Sequence, residues 1–401
     1  MRKIVILGAG YAGLEVARSL GRVLGRTGSA HILLVNDKEY HVFTTELHKV
    51  AAGTAEPADV TASLADLLDE TGVELIVDRV EGIDPERRAV ELAGGTVLAY
   101  DRLVVALGST TEYWGIPGLR ERSLSLNGLE GATAIRERVR EVVQRAEEAG
   151  RQAHIVIGGG GLTGVELAGE LAFRLAKGHR ITVVELAPNL LVGQPERLSR
   201  EAERILAQMG VTIRTGVGLN AVDEDTVLLS SGARMDYDVL LWAGGVRGNP
   251  IVAKAFPADT RDRAIVDSWM RSEAYPDVYI VGDAAAAKDA DGKPVAPTAQ
   301  AALAQAEVVV KHILYAGVQE EQAVAPYSGR SKGVLVSIGP KQGLGKIGAF
   351  GGSGRVWKLL KDANDIRYHL RIGARNGRTR RRETHARPNT ESGRHDRAHT
   401  A

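Results

Sequence analysis

Two ten-residue stretches of this chain align without a gap: IVILGAGYAG at 4–13 and IVIGGGGLTG at 155–164. Each starts as a run of branched apolar residues and turns through closely spaced glycines. Each then enters a helical pattern, LEVARSLGRVL in the first copy and VELAGELAFRL in the second. A strand, a glycine turn and a helix in that order form a phosphate cradle. The turn and the positive end of the helix bring free backbone N–H groups to one place. In the first copy Gly8, Gly10 and Gly13 permit the tight turn, close approach of a pyrophosphate and helix–strand packing, with Ala9, Tyr11 and Ala12 between them. In the second copy Gly159, Gly161 and Gly164 hold those places. The duplication leaves room for one kind of architecture, in which two nucleotide-binding units of the same type share one chain.

The rest of the sequence agrees. Short Val/Ile-rich runs (KIVILG, HILLVN, DRLVVALG, AHIVIGG, ITVVEL, DVLLWAGG, DVYIVGD) alternate with helix-length segments, the pattern of parallel sheets covered by helices. We expect an α/β fold with two Rossmann-like domains and a C-terminal amphipathic region. The stretch GVLVSIGPKQGLGKIGAFGGSGR reads as a hairpin, and in VWKLLKDANDIRYHL residues Val356, Leu360, Ala363, Ile366 and Leu370 share one helical face. From Arg371 to Ala401 there are nine arginines against three acids and no apolar pattern, so residues 373–401 read as a disordered basic tail.

The chain has no cysteine among its 401 residues, which excludes disulfides, thiolate metal sites and redox dithiols. Its net charge of +1 gives no reason to expect nucleic-acid binding. The N-terminus runs straight into a strand, so no signal peptide is expected, and no window is apolar enough to span a bilayer. His41 and His48 lack a carboxylate pair at ligand spacing, so packing or loop hydrogen bonds are expected of them and a metal is not.

Several polar residues mark the cradles. ITVVEL places Glu185 where an acid would hold ribose hydroxyls and repel a 2′-phosphate, so the second site should prefer NADH to NADPH. In the first copy Asn36 stands at that point, followed by Asp37. DVYIVGDAAA ends a late strand in Gly282–Asp283. Glu166 and Glu170 lie four apart on the second cradle helix, where two like charges repel by a few tenths of a kcal/mol, about 0.2–0.5. In PTAQAALAQAE a helix begins near Thr298, and its free N–H groups favour nearby negative charge.

Two cradles followed by a late Gly–Asp resemble the two-dinucleotide-binding flavoproteins. YHVFTTELHKVAAG (40–53), GGLTGVELAGEL (160–171), LLWAGGVRGNP (240–250), KPVAPTAQAA (293–302) and YHLRIGA (368–374) are similar to type II NADH:quinone oxidoreductases, in the same order along residues 1–374. That resemblance implies FAD in the first cradle, contacted by Asn36–Asp37, the backbone at Val80, Gly108, Asp283 and the helix start at Ala299–Gln300. It implies NADH at the second cradle and Glu185, and Glu170 as the catalytic candidate near nicotinamide and quinone. The implied domains are 1–112 with 245–324 for FAD, 113–244 for NADH, and 325–372 as the C-terminal region. The implied partners are NADH, a quinone and the membrane surface, reached from the cytoplasmic face by a peripheral protein. Homodimerisation is left open. The family's second quinone-site glutamine falls on Ala304 here, so Gln300 is a site candidate and Gln305 is expected at the surface. Two alternatives remain: a soluble NADH-dependent reductase of another acceptor, and a flavin-bound NADH sensor.

Overall fold

The computed structural model describes residues 1–315 and 324–374. Its first parallel sheet has the strand order Val278–Ile280, Arg102–Val105, Arg2–Leu7, Ala30–Asn36 and Val73–Val77. The second has the order Ser123–Ser125, Val239–Trp242, His154–Gly158, Arg180–Glu185 and Val211–Thr215. The duplication seen in ten residues thus extends to whole sheets. In each, the strand entering the glycine turn is central and fully covered from Ile4 or His154 onward, as a parallel strand with helices on both faces must be.

Each sheet carries the same accessory, a three-stranded antiparallel meander: Val80–Asp84, Ala89–Leu92 and Val97–Ala99 in the first unit, and Leu219–Val222, Thr226–Leu229 and Arg234–Asp236 in the second. The late strand Val278–Ile280 returns to the first sheet beside Arg102–Val105, so the chain leaves that unit and re-enters it. The two crossings, Ser109–Thr111 and Val246–Gly248, pair antiparallel.

The predicted hairpin is a three-stranded meander of Gly333–Ile338, Gln342–Ile347 and Phe350–Gly354. Its glycines serve close packing. A Cβ at Gly343 would lie 2.5 Å from the backbone nitrogen of Lys358, and one at Gly169 would lie 2.7 Å from that of Gly339. The meander is therefore pressed between the second cradle helix, Leu162–Leu175, and the C-terminal helix, Arg355–Ile372.

The C-terminal helix is amphipathic in the reverse of the usual sense. Its apolar face is the predicted one, but it points outward: Val356 is 67% exposed, Leu359 66% and Leu370 73%, with Leu360 and Ile366 also exposed. The stripe turned inward holds Lys358, Lys361, His369 and Ile372. Gly373 caps the helix in the left-handed conformation. The basic tail from 375 onward lies outside the described residues. Among those described, no helix is long and apolar enough to cross a membrane.

Candidate cofactor cradles and active site

The two glycine turns share the same backbone tie to the neighbouring strand. Gly8 N–H donates to Val35 at 2.7 Å and Gly159 N–H to Val184 at 2.8 Å, tying each loop to the neighbouring strand. Gly8 and Gly159 have φ of 94° and 105°, values open to glycine and costly for other residues. A Cβ on Gly13 would overlap the Gly8 carbonyl oxygen, and one on Gly164 would overlap that of Gly159. Gly10 and Gly161 differ from these. Their backbones are extended (φ −69° and −70°), and an added Cβ would meet no heavy atom within 4 Å. Nothing in the protein demands glycine there. The open space in front of each is where a pyrophosphate would approach, and the helices Tyr11–Leu20 and Leu162–Leu175 begin beside it.

The strand-end side chains hold the turns. Asn36 Oδ1 accepts from Ala9 N–H at 2.8 Å, and Glu185 accepts from Gly160 N–H at 2.6 Å and Ala187 N–H at 2.8 Å. Asp37 is exposed just beyond Asn36. Val80 is buried at the start of its strand, and Gly108 has φ +66° with open space before it.

Gly282 brings the distant pieces together. A Cβ there would lie 3.8 Å from those of both Ala12 and Ala302, so the late Gly–Asp turn meets the first cradle helix and the helix Ala299–Tyr315. Asp283 accepts from Ser109 Oγ at 2.8 Å, and burial raises its carboxyl above the usual range despite that bond. The late helix starts one residue after Thr298, whose hydroxyl accepts from Ala301 N–H at 3.1 Å as an N-cap. Ala299 and Gln300 form its first turn. With its amide turned to satisfy both neighbours, Gln300 accepts from Lys332 N–H at 2.7 Å and donates to Gly333 C=O at 3.3 Å. Gln305 corrects the sequence expectation: it is buried rather than at the surface, and its Oε1 accepts from Gly282 N–H at 2.7 Å. A helix that packs against the Gly–Asp turn must offer that buried N–H an acceptor, and Gln305 is the residue facing it.

Glu170 is 2% exposed and accepts from Thr54 Oγ1 at 2.7 Å. Glu166 accepts from Ser337 N–H at 3.1 Å and Ser337 Oγ at 3.2 Å. Burial pushes both carboxyls up, with Lys361 opposing it most at Glu166 and Thr54 at Glu170. The compensation this glutamate pair needs comes from the C-terminal helix. Lys361 donates to Asp365 at 2.8 Å, and although burial disfavours its charge, Glu166 and Asp365 hold its ammonium above the usual range. Glu46 joins from below, 2.6 Å from Lys49 and 3.0 Å from His369. Burial works against ionisation of Glu46, yet those partners bring its pKa down to about 2. His48 is buried with Nε2 3.3 Å from Ser337 Oγ, a packing and hydrogen-bonding role. Among the described residues no cluster of three or more ligand side chains is placed to hold a metal.

Sequence spacing does not single out Thr54, Ser109 or Ser337. Each reaches its partner across a gap in the chain that no local spacing encodes.

Residues 2–306 match the family model described as pyridine nucleotide-disulphide oxidoreductase. The chain belongs to that family. Its members bind FAD and use a pyridine nucleotide, and the protein is a flavin-dependent pyridine-nucleotide oxidoreductase. The chain is 28% identical over 390 residues to the type II NADH:quinone oxidoreductases of Staphylococcus haemolyticus (strain JCSC1435) and Staphylococcus aureus (strain NCTC 8325 / PS 47), covering 93% of this chain and 96% of theirs. Its fold is similar to that of NDH2 from Plasmodium falciparum in complex with NADH, with TM-score 0.82 and 18% identity over 92% of this chain and 94% of that one. It is also similar to the sulfide:quinone oxidoreductase of Aquifex aeolicus, with TM-score 0.77 and 20% identity over 93% and 91% of the two chains. Without a cysteine, this family member has no thiol with which to reduce a disulfide.

Proposed function

We propose that the protein is a peripheral type II NADH:quinone oxidoreductase that does not pump protons. FAD would sit in the first cradle, held by the open N–H groups around Gly10, by Gly282–Asp283 and by the helix start at Ala299–Gln300. NADH would sit in the second, with Glu185 favouring it over NADPH. Bound FAD supplies the two-electron chemistry that links NADH to quinone. The domains divide accordingly, 1–112 with 245–324 around FAD and 113–244 around NADH.

The observation that carries this reading is the reversed C-terminal helix. Its ionic stripe is docked beside Glu166 and the first cradle, while Val356, Leu359, Ile366 and Leu370 face outward. An apolar stripe at such a position suits the interface of a bilayer, where a quinone is dissolved. Glu170, whose carboxyl is pushed up by burial, orients substrate or hands on a proton. The positive helix start at Ala299 favours negative charge developing beside it.

One observation favours a different acceptor. Ala304 stands where the resemblance to type II NADH:quinone oxidoreductases implies a second glutamine, and Gln305 is already bound to Gly282. Purified protein should show a flavin spectrum and oxidise NADH faster than NADPH with a short-chain quinone, the more so with lipid present. Turnover with soluble acceptors but none with quinone would refute the quinone assignment, and a protein unable to bind FAD would refute the whole.

A further inference from the structure

Each cradle has a central loop residue, Ala9 in the first and Gly160 in the second, whose N–H is held by the strand-end side chain. Their carbonyls are held too, but differently. Gly160 C=O accepts from the backbone N–H of Leu191 at 2.8 Å, an arrangement internal to its own unit. Ala9 C=O is met by His41 Nδ1 at 2.8 Å. A carbonyl only accepts, so Nδ1 carries the proton and Nε2 of the neutral ring is left as an acceptor. His41 is fully buried, and burial lowers its pKa to about 4 although the bond to Ala9 works the other way, which keeps the ring neutral near pH 7. Facing Nε2, at 3.3 Å, is the hydroxyl of Tyr368 on the C-terminal helix.

The rings around this chain of bonds lock it in place. Tyr368 packs on the cradle residue Tyr11 with ring centroids 4.7 Å apart, and Tyr11 meets His41 edge-on at 5.3 Å. Phe43 lies against His369 at 3.9 Å, and the Tyr11 hydroxyl bonds Thr45 at 3.0 Å. The rings of Tyr11, Phe43 and Tyr368 face His41, and its two ring nitrogens meet Ala9 on one side and Tyr368 on the other.

We propose that His41 and Tyr368 are positioning residues of the first cradle, through which the outward-facing C-terminal helix governs retention of the pyrophosphate-bearing cofactor there. At the second cradle the corresponding loop carbonyl is held by Leu191 instead. This rests on the proposed placement of FAD, but not on quinone being the acceptor. Removing the Tyr368 hydroxyl takes away the partner of His41 Nε2 and weakens the hold of His41 on the Ala9 carbonyl.

The test uses the holoprotein and follows FAD release by the rise in free-flavin fluorescence well below the unfolding temperature. Tyr368→Phe, which keeps the ring, should release FAD about fivefold to tenfold faster, the worth of one hydrogen bond. His41→Gln should do the same or more. The double variant should match His41→Gln alone, because Tyr368 acts through His41. The affinity for NADH should stay at the wild-type value, and the thermal midpoint of the Tyr368→Phe apoprotein should fall by no more than one buried hydrogen bond costs. Release at the wild-type rate from Tyr368→Phe overturns the proposal. So does a parallel loss of NADH affinity, or additive effects in the double variant, since each marks general loosening. A wild type that holds FAD but reduces no quinone refutes the acceptor assignment and leaves this test intact.

Discussion

Gly161→Ala separates a glycine kept for a ligand from one kept for the fold. At Gly161 the backbone is extended, with φ −70° and ψ −171°, a region alanine occupies freely. The added methyl meets no protein atom within 4 Å. Stability should therefore hold, or rise by about 0.4–1 kcal/mol as the unfolded chain loses freedom. The methyl does fill the space through which a pyrophosphate reaches the loop N–H groups. Losing one hydrogen bond to a charged acceptor costs about 1.5–3 kcal/mol, or roughly tenfold to a hundredfold in affinity. Gly164→Ala is the contrast, because its Cβ would overlap the Gly159 carbonyl and the damage falls on the fold. Urea unfolding of both variants, with NADH titration and flavin content measured on Gly161→Ala, gives the comparison. Unaltered NADH binding by Gly161→Ala, or a stability loss like that of Gly164→Ala, would refute the reasoning.

Glu170→Gln should keep flavin bound while turnover with a short-chain quinone falls by about a hundredfold, the usual worth of a positioned proton donor; unchanged turnover removes the role. Glu166 and Glu170 bind protons more tightly when folded, so their contribution to stability falls as pH rises through their raised values. Glu166→Gln should flatten that slope in thermal midpoints taken from about pH 4 to 8, and an unchanged slope contradicts the assignment. Glu46, depressed to about 2, acts in the opposite direction, adding stability above the ordinary carboxylate range that is lost as pH falls toward 2. Leu359→Glu combined with Leu370→Glu should change stability by less than about 1 kcal/mol, since both side chains are exposed, yet abolish co-sedimentation with lipid vesicles.

The parts of the fold legible in the sequence were those set by local rules. Glycine spacing located both turns, and branched apolar runs located seven of the strands. Val73–Val77 and Val211–Thr215 escape because polar residues interrupt these sheet-edge strands. The C-terminal helix was read with the right stripe, but its direction was not readable, since apolar faces ordinarily turn inward. A signal did exist: Lys358–Asp362 and Lys361–Asp365 each stand four apart, so the ionic face carries its own partners. Rotation about the helix from Gln300 places Gln305 at the surface, whereas the demand for an acceptor comes from Gly282, 23 residues earlier. Thr54 and Ser337 reach their glutamates across more than a hundred residues, and only tertiary structure joins them.

The reversed helix also fixes how the protein behaves away from lipid. Because its charges secure it and its hydrocarbon side chains remain spare, the helix needs no bilayer to stay folded. On the proposed reading, attachment is a reversible partition set by the surface area on offer, and detachment costs no unfolding. In dilute aqueous solution the spare stripe has other copies of itself as company, so hydrodynamic size should grow with concentration and shrink again when mild detergent is added.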